Sequence, residues 1–304
     1  MKLKDYLPAG LAKKNNPQYP LMILKRGTAS GRNTSVQWKL IMSQKPFRRV
    51  LLANDDGLDA PGIRILETVA ENFADEVWIV APATDKSGVS NSISLREPVR
   101  VEACGVRKFA VHGTPADCVA VAVRHLMKDS PPDLILSGIN SGSNIGFETV
   151  LSGTVGAAIT GVLLGIPSVA LSQDKRPEDQ PDWHTAEEQC LPLLNKLFET
   201  GLPAECCLNV NFPNLPSGQV KGVRVTRQGI GKVKGVTVTP TADPHGEDYF
   251  WLRVEHGVTD LPEYSEVSAV AAGFISVTPL TWERTSQQVW SELSARLSQN
   301  GIGE

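Results

Sequence analysis

The chain has 304 residues, 41% hydrophobic and 21% charged, with 26 Gly and 21 Pro, an ordinary globular composition. That length accommodates about two domains of 150 residues, or one large α/β domain with additions, and a core that needs neither metal nor disulfide to fold. No apolar run approaches the roughly 20 residues of a bilayer span, and a formal charge of −3 carries no whole-chain sign of a nucleic-acid binder, so neither a membrane nor a nucleic-acid polymer is expected as a partner.

The charge is unevenly placed. Residues 1–45 hold nine Lys or Arg and one acid, Asp5, a net +8, which leaves 21 bases and 32 acids, a net −11, for the rest. The opening segment has no clear periodicity. It reads as a disordered basic arm, as a targeting peptide, or as lying ahead of a translation start at Met42. The last is favoured because Met42 stands just before the first convincing strand. Residues 46–304 are then expected to form one domain, with a core over 46–200 and a β-rich extension with a terminal helix over 205–304.

Residues 49–53 are a short buried strand that runs into the polar loop Asn54-Asp55-Asp56-Gly57. Pro61 opens a helix to about Ala70, where the missing N–H costs nothing. Residues 76–82 are a second apolar strand, followed by a polar stretch over 83–94, and 108–111 are another short strand. Thr114-Pro115-Ala116-Asp117 starts a helix to about Met127, with Thr as N-cap, Pro at the first position and an acid facing the dipole. Residues 133–137 are a third buried strand, and 138–146 a loop of Gly, Asn and Ser. A tightly packed helix over 154–164, a strand over 167–171 and an amphipathic helix over 184–200, ended by Gly201, complete the core. Strand and helix alternating at this spacing predict a mainly parallel sheet with helices on both faces, a Rossmann-like three-layer α/β sandwich. Beyond 205 the segments 208–212, 223–226, 236–239, 248–252 and 274–278 read as β additions, and 285–298 as a helix.

In an open parallel sheet, ligands bind at the carboxyl ends of the strands. Three oxygen-rich clusters fall there: Asn54-Asp55-Asp56-Gly57, Ser87-Gly88-Val89-Ser90-Asn91-Ser92, and the run from Ser137 to Gly146. Two adjacent carboxylates repel each other and resist desolvation, and a divalent cation relieves both costs. Oxygen-only neighbours point to a hard ion such as magnesium or manganese. Alone, Asp55-Asp56 reads first as a turn or a helix-start cap before Pro61; the other two clusters at equivalent positions shift the reading toward metal. The Gly-rich run is a flexible turn or, with Ser152-Gly153-Thr154 at the next helix start, an anion nest. A nest beside a carboxylate-bound metal suits hydrolysis of a phosphate ester.

Gly229-Ile230-Gly231-Lys232-Val233-Lys234-Gly235 nearly matches a dinucleotide fingerprint, but its spacing is off by one and strand-forming residues follow it where a helix is required. The five cysteines (Cys104, Cys118, Cys190, Cys206 and Cys207) form no CxxC and are odd in number. They read as reduced structural thiols of a cytoplasmic protein. Of the histidines, His112 precedes Gly113-Thr114-Pro115 near the proposed site, His125 belongs to a helix, and His245 to a turn.

Together these motifs resemble the stationary-phase survival protein SurE family. The resemblance is carried by Asn54-Asp55-Asp56-Gly57 with Ala60-Pro61-Gly62, by Ser87-Gly88-Val89-Ser90-Asn91-Ser92, by Gly113-Thr114-Pro115-Ala116-Asp117-Cys118, by Ser137-Gly138-Ile139-Asn140 with Gly142 and Asn144, and by Ser152-Gly153-Thr154-Val155. Later blocks are Asn209-Val210-Asn211-Phe212-Pro213, Val225-Thr226-Arg227-Gln228-Gly229 and Ser276-Val277-Thr278-Pro279-Leu280. The resemblance covers about 48–282 in order. It implies a metal-dependent phosphatase of nucleoside 5'-monophosphates, with 3'-monophosphates and short polyphosphate as further substrates. It implies one divalent cation, Mg or Mn, on Asp55, Asp56, Ser87 and Asn140. It places Asp55, Asp56 and Asn144 in catalysis and Gly142, Ser152, Gly153 and Thr154 at the phosphate. A homodimer or homotetramer is implied, and Tyr249, Phe250 and Trp251 together are more aromatic surface than a lone hairpin should expose. Leu151, Thr160 and Ser265-Glu266 depart from the family pattern, where an aromatic, Glu and Thr-Asp are usual. The competing reading is a non-catalytic phospho-ligand or metal-binding module on the same fold. A haloacid-dehalogenase-type phosphatase would need Asp-x-Asp after the first strand, and here the two acids are adjacent.

Overall fold

The computed structural model describes residues 45–175, 180–257 and 262–299; the expectations for the segment ahead of residue 45, the Met42 start included, lie outside the described residues. In chain order the elements are β1 (Phe47–Ala53), α1 (Pro61–Ala70), β2 (Ala74–Pro82), β3 (Arg100–Gly105), β4 (Lys108–His112), α2 (Pro115–Val121), β5 (Leu134–Ser141), α3 (Glu148–Leu151), α4 (Gly153–Leu163), β6 (Ser168–Gln173), α5 (His184–Thr200), β7 (Cys207–Phe212), β8 (Val223–Val225), β9 (Val233–Ala242), β10 (Asp248–His256), α6 (Glu266–Ala271), β11 (Ile275–Leu280) and α7 (Gln287–Gln299).

Nine strands form one sheet in the order β3-β4-β2-β1-β5-β6-β7-β11-β8. The run from β4 to β7 is parallel throughout. Antiparallel pairings appear only toward the edges, at β3 with β4 and β11 with β7. The period of two along a strand divides the core into two layers. Val50 and Leu52 of β1 pack with Ile63 and Leu66 of α1 and Cys190 and Leu194 of α5. Leu51 and Ala53 pack on the other face with Cys118 and Val119 of α2 and Ala157 of α4. Both faces of the parallel strands are therefore covered, which explains their near-continuous apolar runs. At the amino end of β1, Phe47, Phe73 and Phe198 meet edge to face with centroids 4.8 to 6.0 Å apart.

Local signals in the sequence set most element ends. Thr114 caps α2 with its side chain accepting from Asp117 N–H, and Asp117 returns a bond to the Thr114 N–H. Ser152 caps α4 by accepting from Val155 N–H. Gly201 ends α5 in a left-handed conformation, φ 82°.

Four features differ from the sequence reading. β3 is a mostly exposed edge strand whose alternation, Val101 and Ala103 between Arg100, Glu102 and Cys104, is too short and too polar to have marked it. β5 does not stop at Gly138: after an irregularity it resumes pairing, Asn140 with Ser172 and Ser141 with Gln173, so residues 138–141 belong to a strand, not a loop. The helix expected to reach Met127 changes to a π-helical turn over Ala122–Leu126. The short helices α3 and α6 were not anticipated, being too brief to show a period. The segment after Gly229-Ile230-Gly231 is strand β9, which disposes of a dinucleotide fingerprint. All five cysteines are free, and burial pushes the Cys190 and Cys207 thiols up to about 12. No helix among the described residues is long and apolar enough to cross a membrane.

α1 rides unusually close to β5. A Cβ at Gly62 would lie 1.8 Å from the Ile139 carbonyl oxygen, a backbone atom that cannot swing aside. Helix propensity alone makes Ala about 1 kcal/mol better than Gly in a helix, but overpacking costs about 1–3 kcal/mol or more. Gly62→Ala is expected to lose roughly 2 kcal/mol net, seen as a lower urea midpoint at unchanged m-value. An unchanged or higher midpoint would show that α1 can lift from the sheet.

Candidate active site

The chain leaves β1 toward β2 on one side of the sheet and later returns to place β5 on the other side. The carboxyl ends of β1 and β5 therefore flank a topological switch point, where open α/β sheets hold their ligands. Asp55 and Asp56 follow β1 directly, and Asn140 and Ser141 end β5.

Asp55 is buried, 4% exposed. Its Oδ1 accepts a short hydrogen bond from the Thr154 hydroxyl. A Cβ on Gly153 would come within 2.9 Å of Asp55 Oδ2, so the first residues of α4 lie directly against this carboxylate. The helix start expected to hold a phosphate thus holds Asp55 itself, and the Thr154 hydroxyl, wholly buried, serves as the donor that orients it. That corrects the placement of the Thr154 side chain on the substrate. Burial pushes the Asp55 carboxyl up to about 6; the Thr154 hydroxyl opposes the shift and the neighbouring Asp56 charge adds to it. Asp56 is half-buried and its Oδ2 accepts from Ser141 N–H at 3.3 Å, which ties the two strand ends together. Burial raises its pKa too, helped by Asp85 and opposed by the Ser141 bond and Lys175.

The loop after β2 is fastened over α4. Lys86 N–H donates to Asp55 O at 2.8 Å and Ser87 N–H to Asp85 Oδ1 at 2.7 Å. Farther along, the Ser90 hydroxyl donates to Val150 O and the Thr160 hydroxyl to Asn91 Oδ1. Ser94 donates twice to the buried Asp117, and the Thr114 hydroxyl to Ser92 O. Thr160 thus fills the family's Glu position with a bond that holds this loop. Ser87 is exposed at the loop's start.

The Gly-rich run is held mostly from behind. Gly142 N–H donates to Gln173 O, Asn144 N–H to Asn211 Oδ1, Ile145 N–H to Glu148 Oε2 and Gly146 N–H to Glu266 Oε1. Four of the amides expected to line a nest over 142–146 are therefore already engaged, Gly142 among them, and the run is a braced loop and not a backbone anion nest. Asn144 is buried at 6% exposure; its Nδ2 donates to Ser172 Oγ, and its carbonyl accepts from Asn209 and Asn211. Among the described residues the donors that remain nearby include Ser143 N–H, Gly153 N–H, the Ser152 hydroxyl hydrogen, the second hydrogen of the Asn144 amide, and the Lys175 ammonium. His112 lies with the edge strand, its Nε2 3.1 Å from Glu102 Oε1. His245 sits in the β9–β10 turn, where its N–H donates to Asp243 Oδ1.

The donor chemistry suits a hard divalent cation. Two adjacent carboxylates share the crevice with raised affinity for a positive charge, and the oxygens beside them are neutral. Asn140 Nδ2 donates to Gly142 O at 2.8 Å, which leaves its Oδ1, like Ser87 Oγ, without a donor among the described residues. Among those residues no three Asp, Glu, His or Cys side chains gather as a metal cluster, so any ion here rests on two carboxylates and neutral oxygens. Sequence reasoning missed Asp85 and Lys175, and gave no role to Ser141 or Glu266, which enter it only within the run 137–146 and as part of Ser265-Glu266. Asp85 stands two residues from Ser87, a usable signal; Lys175 carried none, and the contacts of Glu266 come from a distant segment.

The family model for the survival protein SurE matches residues 50–235. The chain is 49% identical over 251 residues to 5'-nucleotidase SurE 1 of Burkholderia lata, covering 83% of this chain and 97% of that protein. It is 45% identical over 248 residues to 5'-nucleotidase SurE of Azorhizobium caulinodans, covering 81% and 97%. The crystal structure of the SurE protein from Aquifex aeolicus superposes with a TM-score of 0.69 at 36% identity, covering 82% of this chain and 99% of that one.

The raised Asp55 pKa makes a stability prediction for the metal-free protein. A carboxyl whose folded pKa exceeds its unfolded value is penalised when charged. The penalty is full above about pH 6 and fades as pH falls toward 4, and at roughly 1.4 kcal/mol per unit it is on the order of 3 kcal/mol. Asp55→Asn, melted in EDTA, is expected to exceed the parent in Tm near pH 7.5, with the gap closing toward pH 4. A variant that melts lower at pH 7.5 overturns this account.

Proposed function

The chain belongs to the SurE family, and on that footing we propose that it hydrolyses nucleoside 5'-monophosphates to nucleoside and orthophosphate, as a phosphoric monoester hydrolase dependent on one divalent cation. The observation that supports this reading above all is the adjacent pair Asp55, buried, and Asp56, half-buried, at the switch point, braced by Thr154 and by Ser141 N–H.

Asp55, Asp56, Ser87 Oγ and Asn140 Oδ1 would hold a magnesium or manganese ion. When bound, the ion polarises a phosphoryl oxygen and lowers the pKa of water. The protein's own groups do the rest of the positioning. Thr154 fixes the Asp55 carboxylate and Ser141 N–H fixes Asp56, so neither must reorganise as charge develops. Gly153 N–H at the start of α4, the Ser152 hydroxyl, the Asn144 amide and the Lys175 ammonium are among the donors left for the phosphate oxygens. A dipole-aligned N–H and a cation both favour a doubly charged ester over the neutral nucleoside product. The same site accommodates 3'-monophosphates and short polyphosphate, because what it holds is a terminal phosphoryl group.

Phosphate release from AMP tests the reading. EDTA should abolish it and added manganese or magnesium restore it. Asp55→Asn and Asp56→Asn should each lose about 100-fold or more, the scale of removing a key electrostatic group. Ser87→Ala should lose less, being a neutral ligand. Full activity in chelator, or in Asp55→Asn, overturns the proposal, and tight phosphate binding without turnover would favour a non-catalytic module.

A homo-oligomer, dimer or tetramer, is the second part of the proposal. β9 and β10 pair only with each other, and Tyr249, Phe250, Trp251 and Leu252 are each more than half exposed. α7 adds a stripe of exposed Val289, Trp290, Leu293 and Leu297 at helical spacing. So much apolar surface in two elements marks an interface. Light scattering is expected to give a multiple of 32.8 kDa at micromolar concentration; a monomer of that mass would contradict it.

A further inference from the structure

A cavity of about 300 Å³ opens beside the braced loop, lined by Phe147, Val150, Gln228, Gly229, Ile230 and Val233. We propose that it receives the nucleobase of the substrate, an inference that rests on the nucleotidase reading above.

Reach comes first. Val150 precedes Gly153, which abuts Asp55, by three residues. Three residues span at most about 10 Å even when extended. The cavity wall and the phosphate donors are thus within one nucleoside of each other.

The lining has the right chemistry. Phe147 is 50% exposed and Ile230 69% exposed, beside Val150 and Val233. An aromatic face among aliphatic groups takes any base by stacking, and its size lies at the low end of small-molecule sites. Gln228 Nε2 is engaged with Gly146 O and Thr149 Oγ1, so its Oε1 remains as an acceptor for a base N–H.

The cavity is also built in advance. Its two walls come from segments about 80 residues apart, as the bonds between Gln228 and the loop record. Phe147 N–H donates to Ile230 O at 3.1 Å. The Glu266 carboxylate, wholly buried, accepts from Gly146 N–H at 2.6 Å and from Gly229 N–H at 2.7 Å, one oxygen for each wall. The backbones touch: a Cβ on Gly146 would meet Gly231 Cα at 2.2 Å. This buried, charge-assisted clamp is the part taken by Ser265-Glu266. It fixes the two walls of an apolar slot against each other through a buried carboxylate. The other open hollow, lined by Ile93, Ser94, Leu95, Arg96 and Glu97, has a single consecutive segment for its wall and no such clamp.

The experiment uses the full chain with three probes: adenosine, AMP and ribose 5-phosphate. Adenosine binding is measured by calorimetry in EDTA, and kcat/KM for the two esters with metal, for the parent, Phe147→Ala and Leu95→Ala. Phe147→Ala, checked for an unchanged melt, is expected to weaken adenosine about tenfold, within the range for removing one stacking partner. The ratio of kcat/KM for AMP over ribose 5-phosphate should fall about as far, through KM. The proposal is overturned if adenosine fails to bind the parent, if Phe147→Ala binds it equally, or if Leu95→Ala and not Phe147→Ala lowers the ratio. If the parent releases phosphate from neither ester, the hydrolase reading fails by itself, and adenosine binding alone then decides the cavity.

Discussion

Two carboxylates on consecutive residues, one of them buried, are the constraint around which this protein is organised. Asp55 cannot leave its place, because β1 is a central strand and α4 begins against it. In such a position a charge is costly unless donors and a counter-charge meet it. The protein provides donors: the Thr154 hydroxyl and the start of α4 for Asp55, Ser141 N–H for Asp56. It provides little positive charge: among the described residues Lys175 is the one cation that lowers the pKa of either acid, and both pKa values stay raised. A fold optimised for stability alone would not keep this pair. The unsettled negative charge suits the cation proposed for this crevice, and the bracing fixes the carboxylate oxygens in place.

The same logic extends outward through polar groups buried behind the loop after β5. Asn209 and Asn211 on β7 hold the Asn144 backbone, Ser172 on β6 holds its side chain, and Glu266 holds Gly146. The loop is thus tied to the sheet from three directions. Glu148 adds a fourth tie, to His256 at the end of β10, at 2.8 Å. Buried polar networks of this kind are worthwhile only when nearly complete. Here they position the loop that carries Asn144 without covering it, which apolar packing cannot do, since apolar packing would fill the crevice.

What was legible in the sequence follows from the range of each interaction. Thr114 and Asp117, Ser152 and Gly201 act within a few residues of themselves, so the ends of α2, α4 and α5 were readable. Asn54-Asp55-Asp56-Gly57 and Ser137-Gly138-Ile139-Asn140 stand at the ends of apolar runs, and parallel topology alone brings them together. The nest over 142–146 was misread for the opposite reason. A glycine-rich run shows that amides are accessible, but not which acceptors arrive from elsewhere, and Asn211, Gln173 and Glu266 arrive from 31 to 120 residues away. Thr154 was read as a ligand group because a hydroxyl at a helix start commonly faces an anion. It does face one, but the anion is the protein's own Asp55. β5 was cut short because glycine at 138 marked a break, while pairing with β6 resumed past it.

The β-rich half therefore changes its meaning. By composition it is an appendage to a Rossmann-like core, and among the described residues β9 and β10 pair as strands only with each other. Yet the segment that enters β9 presses its backbone against Gly146, and the one that leaves β10 ends in the histidine that meets Glu148. Both ends of the exposed hairpin are consequently anchored on the one loop that carries Asn144. A force or contact that moves the hairpin is transmitted to that loop through rigid backbone contact and a buried carboxylate, with few soft side chains between. Association of copies through the exposed aromatic surface would then do more than bury area: it would immobilise the wall that stands opposite Phe147. The core positions the acids, and the extension is fastened at both ends to the loop beside them.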